Sequence, residues 1–182
     1  MTILLLLFLV FCAFGLFCWV IFININLLYY IFLKVPNFST GNSALGKILR
    51  DVDLGEAKKF YDLGSGNGKV ISAIAKRYPN LECVGIEYNI AGICFSKFRN
   101  NFLKNKVIYR MENFFKTDIR DADIVYTFLF PELVERLENK FSQEIKKGGL
   151  VIANTFPLKI KKPKKVIAGI VGKLDTIYIY EY

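Results

Sequence analysis

The sequence predicts an α/β protein. A mostly parallel, doubly wound sheet of seven strands ends in an antiparallel hairpin and is preceded by one long apolar helix. Three observations carry this reading. Residues 1–33 contain no charged side chain. From residue 59 onward, short β-branched runs alternate with segments of helical periodicity, the pattern of a parallel sheet covered by crossover helices. The last two apolar runs follow one another without a helix between them, as hairpin strands do.

The chain has 182 residues, room for one domain and an appendage. All 25 Lys and Arg and all 16 Asp and Glu lie beyond residue 33, so that part carries the whole net charge of +9. Histidine is absent, which removes His-dependent triads and imidazole bases. Acid–base work would fall to carboxylates, Tyr, Lys or water. The four cysteines, Cys12, Cys18, Cys83 and Cys94, form no CxxC pair. That argues against a zinc site or a disulfide framework, and no metal is expected.

The first element is residues 3–23, ILLLLFLVFCAFGLFCWVIFI. As a helix it would reach roughly 31 Å, enough for a hydrocarbon core of about 30 Å. Residues 1–33 therefore read as a transmembrane anchor. The alternative, a cleaved signal peptide, lacks its basic leader, and the apolar run is too long for one. Tyr29 and Tyr30 suit a membrane–water interface. No Lys or Arg precedes the segment, whereas Lys34, Lys47 and Arg50 follow it. The positive-inside rule then places a single-pass protein with its remaining residues in the cytoplasm.

Residues 34–58 read as a connector and a short helix. KVPNFSTGNS is turn-rich, and Asn42 or Ser43 could cap a helix over Ala44–Arg50. The domain proper spans 59–182. KFYDL is its first strand. GKVISAIAKRY follows as a helix with Val70, Ile71, Ile74 and Ala75 on one face. LECVGIE is the second strand. IAGICFSKFRNNFLKN is the second helix, with Ile90, Cys94, Phe98 and Phe102 on its apolar side. KVIYR and ADIVYTFLF are strands three and four. PELVERLENKFSQEIKK is a helix opened by Pro131, which suits its first turn, with Leu133, Leu137, Phe141 and Ile145 facing the core. Gly148 and Gly149 break to a fifth strand, LVIANTF. KVIAGIV and KLDTIYIYEY close the chain as a hairpin turning at Gly172 and Lys173.

The turn after the first strand reads Asp62-Leu-Gly64-Ser65-Gly66-Asn67-Gly68. In a doubly wound sheet that position borders the ligand crevice. Gly64 permits the sharp turn, Gly66 lets backbone approach a ligand, and Gly68 permits close packing of the helix on the strand. A plain tight turn is the competing reading. The spacing is not that of a dinucleotide fingerprint, since the third glycine comes one residue early, and no Walker A loop matches. Asp62 at the mouth favours a ligand bearing a positive amine over a pyrophosphate. Glu87 ends the second strand, where an acidic residue can accept hydrogen bonds from the hydroxyls of a ribose. Glycine turn, Glu87, alternating strands and closing hairpin together favour the ligand reading.

With these motifs in place, the chain resembles class I S-adenosylmethionine-dependent methyltransferases over about residues 36–182. DLGSGNG resembles that fold's first motif and GIEYN its acidic second motif. The resemblance implies a Rossmann-like, seven-stranded class I methyltransferase sheet and S-adenosyl-L-methionine as cofactor. A narrower likeness runs through DLGSGNGKV, GIEYN, NFFKTD, FLFPELVERLE and TFPL behind one membrane span. These are similar to small membrane-anchored protein-lysine methyltransferases, whose mitochondrial members modify the ADP/ATP carrier and the c subunit of ATP synthase and which have bacterial relatives. The chain departs from that family's pattern at Asn67 (Asp in the family), Ile90 (Pro), Asn113 (Asp), Phe115 (Trp) and Thr155 (Arg).

Carried over position by position, the resemblance implies that Asp62, Gly64, Ser65 and Gly66 hold the methionine part of the cofactor. Asn67, which can still accept a hydrogen bond, and Gly68 would complete the cofactor-binding turn. Glu87 would take the ribose, Asn113 and Phe114 would border the adenine, and Thr40 would close over the methionine end. The acceptor pocket candidates are Phe130 and Pro131 after strand four and Phe156 and Pro157 after strand five. Tyr126 and Phe128 are divided between pocket wall and core. No side chain stands out as a general base.

The run KIKKPKK, 159–165, has five lysines in seven. It reads as a solvated loop, as a patch attracted to anionic headgroups at about 1 kcal/mol per lysine, or, least favoured, as a nucleic-acid contact, because no aromatics are interleaved. The expected function is methylation of lysine on a membrane protein, with the lipid bilayer as the other partner. A lipid, quinone or other small apolar acceptor is the alternative, and a non-catalytic binding module is the reading outside enzymology.

Overall fold

A computed structural model describes residues 2–33, 39–102, 107–169 and 175–182. The chain forms two compact units, Met1–Asn37 and Phe38–Tyr182.

In the first unit, helix α1 (Thr2–Leu33) is continuous. Its stretch Ile3–Ile25, 23 residues, is long and apolar enough to cross a membrane. The helix is apolar on every side, and its described side chains are exposed, as lipid-facing surfaces are. Asn24 donates its side-chain amide to the Val20 carbonyl at 2.8 Å, so this polar group is satisfied by its own helix. The side chains of Tyr29 and Tyr30 lie outside the described residues.

The second unit comprises α2 (Asn42–Asp51), β1 (Lys59–Leu63), α3 (Lys69–Arg77), β2 (Glu82–Glu87), α4 (Ile90–Asn100), β3 (Ile108–Met111), β4 (Ile124–Thr127), α5 (Pro131–Glu144), β5 (Leu150–Asn154), β6 (Lys165–Ile167) and β7 (Ile177–Glu181). The seven strands form one sheet in the order β3-β2-β1-β4-β5-β7-β6. β1 to β5 are mutually parallel. β7 runs antiparallel between β5 and β6. Strand order reverses between β1 and β4, so their C-terminal ends open the crevice typical of such sheets.

Alternation along each strand divides the core in two. Phe60, Ile124, Tyr126 and Ile152 pack with Ile48 of α2 and Ile71 and Ile74 of α3. Tyr61, Leu63, Val125 and Val151 pack with Val134, Leu137 and Phe141 of α5. A one-residue slip of any central strand would exchange these faces, so burial on both sides pins the register.

The strands expected at 122–130 and 150–156 are shorter. Thr155 adopts a left-handed φ of 67°, which turns the chain out of β5 after Asn154. The hairpin turn at Gly172 and Lys173 lies outside the described residues, as does Lys34. Helix α2 begins at Asn42 with Gly41 as its N-cap residue and no side-chain cap, rather than being capped by Asn42 or Ser43.

The larger correction concerns α4. Its apolar side, Ile90, Cys94 and Phe98, with Phe102 just beyond the helix, is exposed. The packing face is instead Gly92, Ile93 and Ser96. A Cβ on Gly92 would stand 2.9 Å from the Gly66 carbonyl oxygen, so the helix sits too close to the glycine turn for large side chains there.

The basic run is tied into the fold. Lys159 pairs with Glu135 at 2.6 Å, Lys164 pairs with Glu181, and Lys165 donates to the Asp51 carbonyl at 2.9 Å. The Lys161 ammonium lies 4.1 Å from the centre of the Tyr182 ring. Four of the five lysines of the run thus meet partners on α2, α5, β7 and Tyr182.

Candidate active site

The glycine turn is held by backbone bonds to the end of β2. The amides of Gly64 and Ser65 both donate to the Ile86 carbonyl, at 2.9 and 3.0 Å. Gly64, Gly66 and Gly68 have φ of 80°, 53° and 73°, a region that L side chains occupy only at a cost. Their surroundings differ. A Cβ on Gly64 would meet Leu129 at 2.8 Å, one on Gly68 would strike the Tyr109 hydroxyl, and one on Gly66 would enter open space. A side chain at Gly64 or Gly68 would thus meet its neighbours, whereas one at Gly66 would not. Asn67 accepts the Lys69 amide at 3.2 Å, two residues before α3 begins.

Glu87 joins this turn directly. One carboxylate oxygen accepts the Gly66 amide at 2.8 Å. The other accepts the amides of Tyr88 and Asn89 at 2.8 and 2.7 Å. A carboxylate has about four acceptor sites, so one remains for an outside hydroxyl. Asn89 then caps α4 by accepting from Ala91 and Gly92 at 2.8 and 3.2 Å.

Asp62 is 2 % exposed at the end of β1. Burial raises its pKa to about 8, with the nearby Glu87 charge adding to the rise and the Ile71 amide opposing it. Ser65 Oγ and Thr127 Oγ1 are buried with no hydrogen-bond partner among the described residues. A buried acid without a cation, beside orphaned hydroxyls, is what a site for an ammonium-bearing ligand leaves when no ligand is counted. These residues therefore fit the amino-acid end of S-adenosylmethionine.

A second network joins the segment before α2 to α3, β4 and β5. Lys69 Nζ donates to the Thr40 carbonyl at 2.6 Å. Thr40 Oγ1 and the Tyr126 hydroxyl lie 2.8 Å apart, and Asn154 donates to that hydroxyl at 3.1 Å. Tyr126 is fully buried, and burial raises its pKa above the ordinary phenol range. It is a tie between segments rather than an exposed wall. Sequence reading missed the hub role of Tyr126, the Lys69 tie, Asn154 and the Gly92–Ser96 packing face. Only the Asn89 cap had a readable signal, an Asn directly before helical periodicity.

Phe130, Phe156 and Phe128 come together. Phe156 stacks on Phe128 with centroids 6.4 Å apart and on Phe130 at 6.0 Å. Pro131 opens α5 and Pro157 follows Phe156, both exposed. Asn113 and Phe114 lie beyond β3, whose Met111 pairs with Glu87. They share the sheet edge with the glycine turn but sit two strands away from it. Asn113 accepts the Phe115 amide at 3.0 Å, and Phe114 packs on Phe115 with centroids 4.7 Å apart.

Five parallel strands, an antiparallel β7 beside β5 and an acid-led glycine turn after β1 together define a class I S-adenosyl-L-methionine-dependent methyltransferase. The chain belongs to the family described as the ANTKMT methyltransferase domain, whose model matches residues 62–165. It is 30% identical over 149 residues to a protein-lysine N-methyltransferase of Saccharolobus islandicus (strain REY15A), covering 80% of this chain and 92% of that protein. Among solved structures it resembles an RNA methyltransferase from Salinibacter ruber in complex with S-adenosyl-L-homocysteine. There the TM-score is 0.71 and the identity 22%, over 79% of this chain and 93% of that one. This last likeness is one of fold. The chain is thus a methyltransferase that uses S-adenosyl-L-methionine.

Proposed function

We propose that this methyltransferase acts on the side-chain amine of lysine, that its acceptor is a membrane protein, and that α1 anchors it with the second unit on the cytoplasmic side. The observation that carries the acceptor class is the Phe128–Phe156–Phe130 stack at the crevice edge, taken with the similarity to a protein-lysine N-methyltransferase.

S-adenosylmethionine supplies an electrophilic methyl group on a sulfonium. Asp62 would hold the cofactor's ammonium as a carboxylate, its proton passing to solvent. Ser65 Oγ completes the hydrogen bonding of that end. Gly66 leaves room for the ligand, and Glu87 takes a ribose hydroxyl with its remaining acceptor site. Asn113 and Phe114 border the adenine. Thr40, held by Lys69 and Tyr126, closes the methionine end.

The acceptor amine must be neutral to attack. At pH 7 a lysine with a free pKa near 10.4 needs about 4.6 kcal/mol to lose its proton. The phenylalanine stack lowers that requirement by penalising the charged form, and Pro131 and Pro157 directly follow Phe130 and Phe156 in the sequence. The released proton can pass to water.

Transfer of radiolabelled methyl groups into membrane extracts, separated into protein and lipid fractions, tests the assignment. Label in methylated lysine of the protein fraction supports it. Label in the lipid fraction favours a lipid or quinone acceptor, for which an aromatic mouth is equally apt. Cofactor binding without label in either fraction favours a binding module.

A further inference from the structure

Helix α4 is built inside out. Its inward face is small: Ile93 and Ser96 are 5% and 0% exposed, and Ser96 Oγ donates to the Gly92 carbonyl at 2.5 Å and to the Gly66 carbonyl at 3.2 Å. Its outward face carries Ile90, Phe95 and Phe98, at 60%, 61% and 64% exposure, with Phe102 at 76% just beyond its end. Phe98 and Phe102 meet edge to face with centroids 5.4 Å apart, and Cys94 is exposed among them. At about 100° per residue these side chains form one stripe about 140° wide, with Lys97 and Arg99 just outside its two edges. Monomeric proteins rarely leave so continuous an apolar patch in water.

Charge points to what covers it. Among the described residues of 90–102 and 107–111, Lys97, Arg99 and Arg110 are basic and none is Asp or Glu. A second copy of this face would set like charges against one another. An anionic bilayer satisfies both features at once, and an apolar stripe with basic borders is how interfacial helices lie in the headgroup region. Eleven residues cannot cross a bilayer, so α4 would lie in its plane.

We propose that α4 is a membrane-docking surface. Ile90, Phe95, Phe98 and Phe102 enter the boundary between headgroups and acyl chains, and Lys97 and Arg99 meet lipid phosphates. The proposal rests on the membrane-anchored reading given above. It deepens that reading, because the N-terminal end of α4 abuts Gly66 and Glu87: a docked α4 holds the cofactor crevice at the membrane surface, where lysines of embedded proteins lie.

The test uses the full chain in nanodiscs of mixed phosphatidylcholine and phosphatidylglycerol, with Cys12, Cys18 and Cys94 replaced by Ser. Spin labels are placed singly through Phe98→Cys on α4, Asn139→Cys on α5 and Phe14→Cys on α1. The label at 98 should be shielded from a water-soluble nickel chelate at a depth of about 5–10 Å, while the label at 139 stays in water. Lys97→Glu combined with Arg99→Glu, or discs of phosphatidylcholine alone, should bring the label at 98 back toward water. A label at 98 as accessible as that at 139 overturns the proposal, and if the label at 14 is immersed the anchored reading still stands. A label at 14 in water overturns both. Spin–spin coupling between labels at 98 on two chains, without lipid shielding, marks a self-association face and also overturns it. Shielding that appears only when a membrane protein is added does the same.

Discussion

The Glu87 carboxylate accepts the amide of Gly66 at 2.8 Å, which makes the glycine turn and the acidic end of β2 a single unit. The same carboxylate orders Tyr88 and Asn89, and Asn89 caps α4. One side chain thus connects the turn, the ribose position and the helix that carries the exposed aromatic stripe.

Glu87→Ala leaves those three amides without their acceptor. Stability should fall by about 1–3 kcal/mol, the range for orphaned polar groups, and cofactor binding should be lost. Urea melts and titration calorimetry read the two effects separately. Normal cofactor affinity in Glu87→Ala would refute the ribose assignment.

Gly66 and Gly68 should part company on mutation. Gly66→Val projects into open space, so the domain should still fold, at a cost of roughly 1–2 kcal/mol for the left-handed backbone, and bind no cofactor. Gly68→Val collides with Tyr109 and Ser96 and should fail at folding itself. Thermal melts of the two variants, with and without cofactor, separate these outcomes.

Asp62 links pH to both stability and binding. Its carboxyl titrates near 8 in the folded chain and near 3.9 unfolded. Between those values the folded state holds the extra proton, so stability falls as pH rises through the window and the penalty is complete above about pH 8. Asp62→Asn removes the penalty. The unliganded variant should be more stable than the parent at pH 8 by several kcal/mol, equal to it or weaker near pH 4, and unable to bind cofactor. Melting curves at the two pH values check the sign.

Phe156→Ala should spare cofactor affinity and reduce kcat/KM by about tenfold or more, equivalent to about 1.4 kcal/mol. The aromatic stack depresses the acceptor pKa, so its loss should shift the pH–rate profile toward alkaline pH. A parallel loss of cofactor affinity would contradict the separation of the acceptor wall from the cofactor turn.

Much of this was readable from residue order. The glycines and Asp62 follow a strand, and topology alone puts that position at the crevice. The faces of α3 and α5 follow helical periodicity because both helices pack against largely apolar sheet faces. The α4 face was misread because periodicity reports which residues share a side, not which side meets the core. There the deciding contact is long-range: the approach of Gly92 to Gly66 excludes large side chains. The Tyr126–Thr40–Asn154 tie was illegible for a similar reason, since it joins residues 86 and 28 positions apart. The lysine run looked uniform in sequence, yet its members meet partners as different as Glu135 and the Tyr182 ring.

The central claim is that Asp62 waits protonated for a cationic cofactor. Calorimetric titration of the full chain with S-adenosylmethionine at pH 7, repeated in two buffers of different ionisation enthalpy, measures it most directly. The account predicts one bound cofactor per chain with release of about one proton, and no binding by Asp62→Asn. Binding without proton release, or undiminished binding by Asp62→Asn, would contradict it.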